Sequence, residues 1–347
     1  GRVRCRAAAA FEAAAAEQGA QASRDPLDGP LRLGRWTLRS RLLLAPLESV
    51  SDCAYRRLCS QLGAGFTWTE MVRAAALARG NAATFALIDT FDPETHTGVQ
   101  LLASKPQELK RALQRLDRLA ESTHPHWARG IQGVDLNFGC PSPDVIVHGA
   151  GPALLKRRKR IADLFEVLAE WRSATSLPVG VIGAKLRLGL TAAEEQEGVY
   201  LRAVESAKGL LDYVTLHARH AKDESTTAAR WERIRAAKEV AGKGLAVLGN
   251  GDVFSRADAA AMLARTGCDG VVVARGAIRS GGLIFDGNWS GDAAAAAWLA
   301  PSLERRYRVL ARRFGGPRPK FAQYHREAFR RLRERHGAPQ DCGAMTG

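Results

Sequence analysis

The side chain best placed for chemistry is Cys140, in the turn Asn137-Phe138-Gly139-Cys140-Pro141 that follows the apolar run Gly133–Asn137. A thiol at such a turn can act as a nucleophile or as a proton donor. No His lies at the spacing of a paired Cys–His nucleophile, and the basic residues at comparable positions are mainly Lys and Arg. Proton donation to a carbanion-like centre is therefore favoured over acyl transfer. Cys268 differs, because it precedes an apolar run and reads as a buried structural thiol.

Other polar and Gly residues gather in the same relation to apolar runs. Pro46-Leu47-Glu48 ends the first run, and Gln100 lies in the third. Lys185 and Arg187 lie in the fifth, and His217-Ala218-Arg219 ends the sixth. Gly249-Asn250-Gly251-Asp252 ends the seventh, and Ala274-Arg275-Gly276-Ala277 the eighth. A single Lys or His at a strand end is usually a salt bridge or a capped turn, but here seven strand ends repeat the pattern. The last two suit an anion, because Gly-bearing turns let backbone amides approach a phosphate and Arg275 adds charge. The plainer reading of those glycines is tight turns alone.

The elements that must position these groups are short β-type runs alternating with helical patterns. The runs are 42–48, 66–71, 98–103, 133–137, 181–188, 213–217, 245–249 and 270–274. Between them, apolar spacing of three and four predicts helices over 106–119, 161–171, 192–207, 230–240 and 256–266. Eight such units predict an α/β fold, a closed (β/α)₈ TIM barrel with its active site at the C-terminal ends of the strands. A doubly wound open sheet is the alternative. It usually carries a Gly-rich dinucleotide turn after its first strand, and Leu44-Ala45-Pro46-Leu47-Glu48 is not one.

The 347 residues are 46% hydrophobic and carry a net charge of +15, which favours a polyanionic partner. Six scattered cysteines without a CxxC pair or a His cluster argue against a disulfide framework or a zinc site and point to a reducing compartment. No apolar run approaches the roughly 18 residues that span a bilayer. Residues 1–30 read as an Ala/Arg-rich, disordered leader, with a faint likeness to an organelle transit peptide that Glu12 and Glu17 oppose. Residues 31–287 are the expected barrel, and 288–347 a basic helical appendage. Within it, 304–336 holds 12 Lys and Arg against 3 Glu, interrupted at Gly315-Gly316-Pro317. That density favours a phosphate-backbone contact over a solvated face.

These motifs, in this order, resemble the tRNA-dihydrouridine synthases. The resemblance rests on Leu44-Ala45-Pro46-Leu47-Glu48 with Asp52 and Arg56, on Val134-Asp135-Leu136-Asn137-Phe138-Gly139-Cys140-Pro141, and on Gly149-Ala150-Gly151 with Ala153-Leu154-Leu155. Lys185-Leu186-Arg187-Leu188-Gly189, Leu216-His217-Ala218-Arg219 and the two Gly-bearing turns at 249–252 and 274–277 follow. It runs from about 42 to 285; the Asn-x-Gly-Cys-Pro turn with the Lys-x-Arg-x-Gly strand is its specific part.

The resemblance implies flavin-dependent reduction of uridine to 5,6-dihydrouridine in tRNA, with tightly bound FMN and with NADPH as electron source. It implies Cys140 as the proton donor to C5, and Asn137 and Arg187 on the uracil edge. Gln100, Lys185 and His217 would contact the flavin ring, with Pro46 and Leu47 approaching through their backbone. Asn250, Gly251, Asp252, Ala274 and Arg275 would form the phosphate end. The sequence departs from the family at Leu47, where Met is usual, and at Ala218 and Ala274, where Gly is commoner. The expected state is a monomer, cytoplasmic or organellar. Two rival functions stay open at this stage: an FMN barrel reductase of a small molecule, and an inactive RNA-binding barrel.

Overall fold

A computed structural model describes residues 25–121 except 89, 91 and 93, then 130–314 and 319–334. The leader before residue 25, Cys5, Cys342, the 315–318 break and everything after 334 lie outside the described residues.

A hairpin of β1 (Leu31–Leu33) and β2 (Trp36–Leu38) precedes eight parallel strands. These are β3 (Leu42–Leu44), β4 (Thr67–Arg73), β5 (Thr97–Leu102), β6 (Gly133–Phe138), β7 (Val181–Arg187), β8 (Tyr213–His217), β9 (Ala246–Asn250) and β10 (Gly270–Val273). Their order is β3-β10-β9-β8-β7-β6-β5-β4. The ring closes where Gly65 N–H donates to Leu42 O at 2.8 Å and Leu44 N–H to Phe66 O at 2.9 Å. The closed barrel is therefore the fold, and the open doubly wound sheet is excluded. Each predicted run overlaps its strand, and β4, β5, β6 and β9 run one or two residues past a predicted end. The first is shorter than predicted, because after Ala45 N–H bonds to Val273 O the next residue is Pro46, which has no N–H to continue the ladder.

Strands such as β5 and β6 are buried along their whole length, as in a sheet covered on both faces. Outside it lie the helices Pro106–Glu121, Arg158–Ala174, Val199–Ala207, Glu232–Ala241 and Arg256–Thr266. The stretch 192–207, predicted as one helix, is two, because Gly198 turns at φ 67° between them. The hairpin was not predicted. Leu31, Leu33 and Leu38 pack with Phe66, Trp68, Tyr213 and Leu248 to fill the barrel from its N-terminal end. Residues 25–30, assigned to a disordered leader, are instead packed on the barrel: Leu27 is fully buried in the layer between strands and outer helices, and Asp25 and Asp28 both pair with Arg256.

The C-terminal helices Ala293–Arg313 and Pro319–Glu334 pack on each other and on the helix Cys53–Gln61. Leu303, Tyr307, Phe329 and Leu332 join the apolar layer between strands and outer helices. Asp52 caps Cys53–Gln61 through Tyr55 N–H and accepts from Tyr307 Oη at 2.8 Å. Buried His325 bonds to Val50 O at 2.9 Å, between the rings of Tyr55 and Tyr307. Among the described residues no helix is long and apolar enough to cross a membrane.

Candidate active site

At the C-terminal ends of the strands lies a cavity of about 450 Å³, a size that accommodates a small ligand or cofactor. Its lining includes each sequence-predicted site residue: Pro46, Leu47, Gln100, Asn137, Cys140, Lys185, Arg187, His217, Asn250, Gly251, Asp252, Ala274 and Arg275. Residues spread over more than 220 positions are thus gathered by the barrel at one mouth.

The Cys140 turn is held from two sides. Asn137 Oδ1 accepts both Gly139 N–H and Cys140 N–H, each at 2.9 Å. Arg187 Nε donates to Gly139 O at 2.8 Å and its Nη1 to His220 O at 3.2 Å. Gly151, at φ 58°, packs beneath; a Cβ there would lie 2.8 Å from Val145 and 3.2 Å from Cys140 O. Cys140 itself is half-buried and lines the cavity. Asn137 also donates to Gln100 Oε1 at 2.8 Å, so its oxygen is committed and one N–H remains for a ligand.

Lys185 Nζ donates to Asn250 Oδ1 at 3.2 Å, and Asn250 Nδ2 donates to Val272 O at 2.6 Å. Burial, with Arg187 nearby, pulls the Lys185 ammonium down to about 8. His217 is held well below the usual imidazole range by burial and by Lys185, Arg187, Arg219 and Arg275, so its ring is neutral at pH 7. Burial first, and then Arg219, lower Arg187 to about 10, and it stays charged at neutral pH.

At the far side, Arg219 Nη2 donates to both oxygens of Asp252 at 2.7 and 2.6 Å, and Arg275 Nη2 to Oδ1 at 3.0 Å. Ala229 N–H completes the set at 2.8 Å. Burial alone would raise the Asp252 carboxyl, but Arg219 and the Ala229 amide hold it below the ordinary value. Two side chains of the expected phosphate end are already hydrogen-bonded within the protein. Asp252 directs its carboxylate to Arg219 and Arg275. Asn250 spends its side chain on Lys185 and on the strand carbonyl.

Arg219 and Asp135 were not assigned roles from sequence. Arg219 was visible as the third residue of His217-Ala218-Arg219, and Asp135 as the one acid in the buried run of β6.

The family model described as "Dihydrouridine synthase (Dus)" matches residues 43–313, which span the barrel and the first appendage helix. The chain belongs to the dihydrouridine synthase family. Similar members include a Mycobacterium tuberculosis protein named "Probable tRNA-dihydrouridine synthase", 32% identical over 257 residues. That match covers 72% of this chain and 62% of the relative, so the chain spans a little over three fifths of that protein's length. An Aquifex aeolicus member of the same name is 32% identical over 69% of this chain and 70% of its own. The Pseudomonas putida "tRNA-dihydrouridine synthase B" is 30% identical over 71% and 67%. Among solved structures, a morphinone reductase variant in complex with tetrahydroNAD superposes with a TM-score of 0.51 at 15% identity, over 73% of this chain and 87% of that one. A 2-naphthoyl-CoA reductase gives 0.52 at 12% identity, over 74% and 51%. Both share the barrel with this dihydrouridine synthase family member.

Proposed function

We propose that the protein reduces the C5–C6 double bond of uridine in tRNA to 5,6-dihydrouridine, with FMN as cofactor and NADPH as electron source. The observation that carries this reading is the convergence of Cys140, Lys185, Arg187 and neutral His217 on one cavity, in a chain of this family.

The residues present fit a flavin. Pro46, Leu47, Met71 and Ala274 contribute apolar lining to the cavity. Gln100 and Asn137 each keep an N–H beside it, and Lys185 adds a cation, which suits a ring bearing carbonyl acceptors. Arg219 and Arg275, meeting at Asp252, make the opposite end cationic, as a phosphate requires. Gly251 leaves the backbone bare there; a Cβ would lie 2.9 Å from Ala229 and 3.2 Å from His217. FMN would thus lie between Lys185 and Arg275 and, once reduced, supply the hydride that goes to C6 of uracil.

The chain's own residues do the rest. Cys140 Sγ donates the proton to C5, so hydride and proton together saturate the double bond. Asn137 and Arg187 hold the Gly139 peptide from both sides and so fix the thiol. Arg187, charged at neutral pH, faces the edge of the base. A uracil in folded RNA must be unstacked to enter, at a cost of a few kcal/mol. The exposed run Lys156-Arg157-Arg158-Lys159-Arg160 and the helices beyond residue 288 provide cationic surface that offsets it. The region 288–347, with its helices Ala293–Arg313 and Pro319–Glu334, is accordingly a tRNA-binding appendage in this reading.

The test is the dihydrouridine content, by mass spectrometry, of unmodified tRNA incubated with the protein, FMN and NADPH. Wild type should form dihydrouridine and Cys140→Ala should lose about 10²- to 10⁴-fold of the rate. No product from a full tRNA pool, with flavin bound, would overturn the assignment in favour of a small-molecule reductase.

A further inference from the structure

A chain of polar groups runs through the barrel interior and ends at the Cys140 turn. Trp68 Nε1 donates to Tyr213 Oη at 2.9 Å, and Tyr213 donates to Asp135 Oδ1 at 2.8 Å. From the other side Gln100 Nε2 donates to Asp135 Oδ2 at 2.6 Å, Asn137 Nδ2 donates to Gln100 Oε1, and Gly139 and Cys140 donate to Asn137 Oδ1. Asp135, Gln100, Tyr213 and Trp68 are each at most 2% exposed. Strand glycines make the room: a Cβ on Gly183 would lie 2.2 Å from the Tyr213 ring, and one on Gly98 2.9 Å from Trp68. Space has thus been cleared inside a packed core for polar rings.

The direction of the bonds is forced. A carboxylate only accepts, and the two backbone N–H groups only donate, so Gln100 and Asn137 between them have a single consistent orientation. That orientation leaves each amide nitrogen with one uncommitted N–H at the cavity wall, two donors facing whatever ring binds there. Removing the acceptor at the far end lets Gln100 turn over. The reversal then propagates, and amide N–H groups of Asn137 meet the N–H groups of the turn.

We infer that Asp135 is a positioning residue: as the terminal acceptor of this chain it fixes the Gln100 and Asn137 amides as donors to the cavity and, through Asn137, sets the Cys140 thiol. Burial lifts the Asp135 carboxyl to about 6 while Gln100, Tyr213 and Lys185 oppose that lift, consistent with an acceptor that stays ionised above neutrality. The inference rests on the proposed reaction only for its activity readout.

The experiment uses the full-chain holoprotein and iodoacetamide, with alkylation followed at each cysteine by peptide mass mapping; buried Cys53, Cys59 and Cys268 are internal controls. Asp135→Asn should alkylate Cys140 severalfold faster than wild type, because the turn is loosened, while the controls stay slow. Its kcat on tRNA should fall on the order of 10²-fold with KM little changed. Tyr213→Phe, which deletes one oxygen and keeps the ring packing, should move both readouts the same way by less. A folded Asp135→Asn protein with wild-type Cys140 alkylation overturns the inference. Should that variant not fold, wild-type alkylation in Tyr213→Phe does so. A wild type that forms no dihydrouridine, with alkylation still shifted in the variants, would remove the proposed reaction and leave the positioning role standing.

Discussion

On the β5–β7 side of the mouth, Cys140 is set by hydrogen bonds to amides, with one buried carboxylate as their final acceptor, whereas on the β8–β10 side Asp252 is shared between two guanidinium groups. The first arrangement fixes atoms by direction: each bond has a single donor and acceptor, and solvent cannot substitute for them. The second fixes charge. Arg219 and Arg275 would repel one another without Asp252, so the carboxylate keeps them together. In the proposed reading one side serves the precision of a proton transfer and the other the binding of an oxyanion whose exact placement matters less.

The strongest challenge to this contrast is Asn137→Ala. It strips two turn N–H groups of their acceptor and should lower dihydrouridine formation about 10²-fold and stability by about 1–3 kcal/mol. A rate near wild type by tRNA mass spectrometry would mean that the turn holds itself. Asp252→Asn should also destabilise the flavin-free protein, by about 1–3 kcal/mol in denaturant unfolding. Here, however, added inorganic phosphate should raise Tm more in the variant than in wild type, because the anion replaces the lost charge. Equal shifts would remove the anion from that side.

A subtler effect concerns pH. Lys185 in the folded chain lies at about 8, below the 10.5 of an ordinary lysine, so its charge costs stability. The cost is present in full below pH 8 and is relieved as pH rises toward 10.5, where the unfolded chain still binds the proton. In the flavin-free protein, wild type should therefore gain on Lys185→Met across that window; a flat difference would mean that Lys185 has a closer anion than Asp135. The smallest effect is expected in the appendage. Arg330, Arg331 and Arg333 are paired with Glu327, Glu334 and Glu304, whereas Lys320 forms no ion pair among the described residues. Lys320→Glu should weaken tRNA binding a few-fold and reduce the salt slope of affinity by about one, leaving FMN in place.

Much of this was legible in sequence because a barrel makes chemistry periodic: polar and Gly residues recur after each apolar run, and closure brings those positions together. The partners of each side chain were not legible. Asn250 and Asp252 read as ligands for phosphate, yet their neighbours across the sheet, Lys185 and Arg219, claim them first. Such pairings depend on strand register, which spacing along the chain does not carry. Asp135 was hidden for the complementary reason. In a strand buried on both faces, alternation does not distinguish a polar residue aimed into the barrel from one aimed at a helix. The hairpin at the base escaped because its two strands have only three residues each.

The loop after β3 serves two masters. Leu47 and Glu48 line the cavity, while Val50 and Asp52, only a few residues on, receive His325 and Tyr307 from the appendage. The appendage helices and the cavity are thereby fastened to the same short length of chain. An exchange of appendages between relatives would have to carry its own grip on this loop, or the graft would loosen the cavity it adjoins.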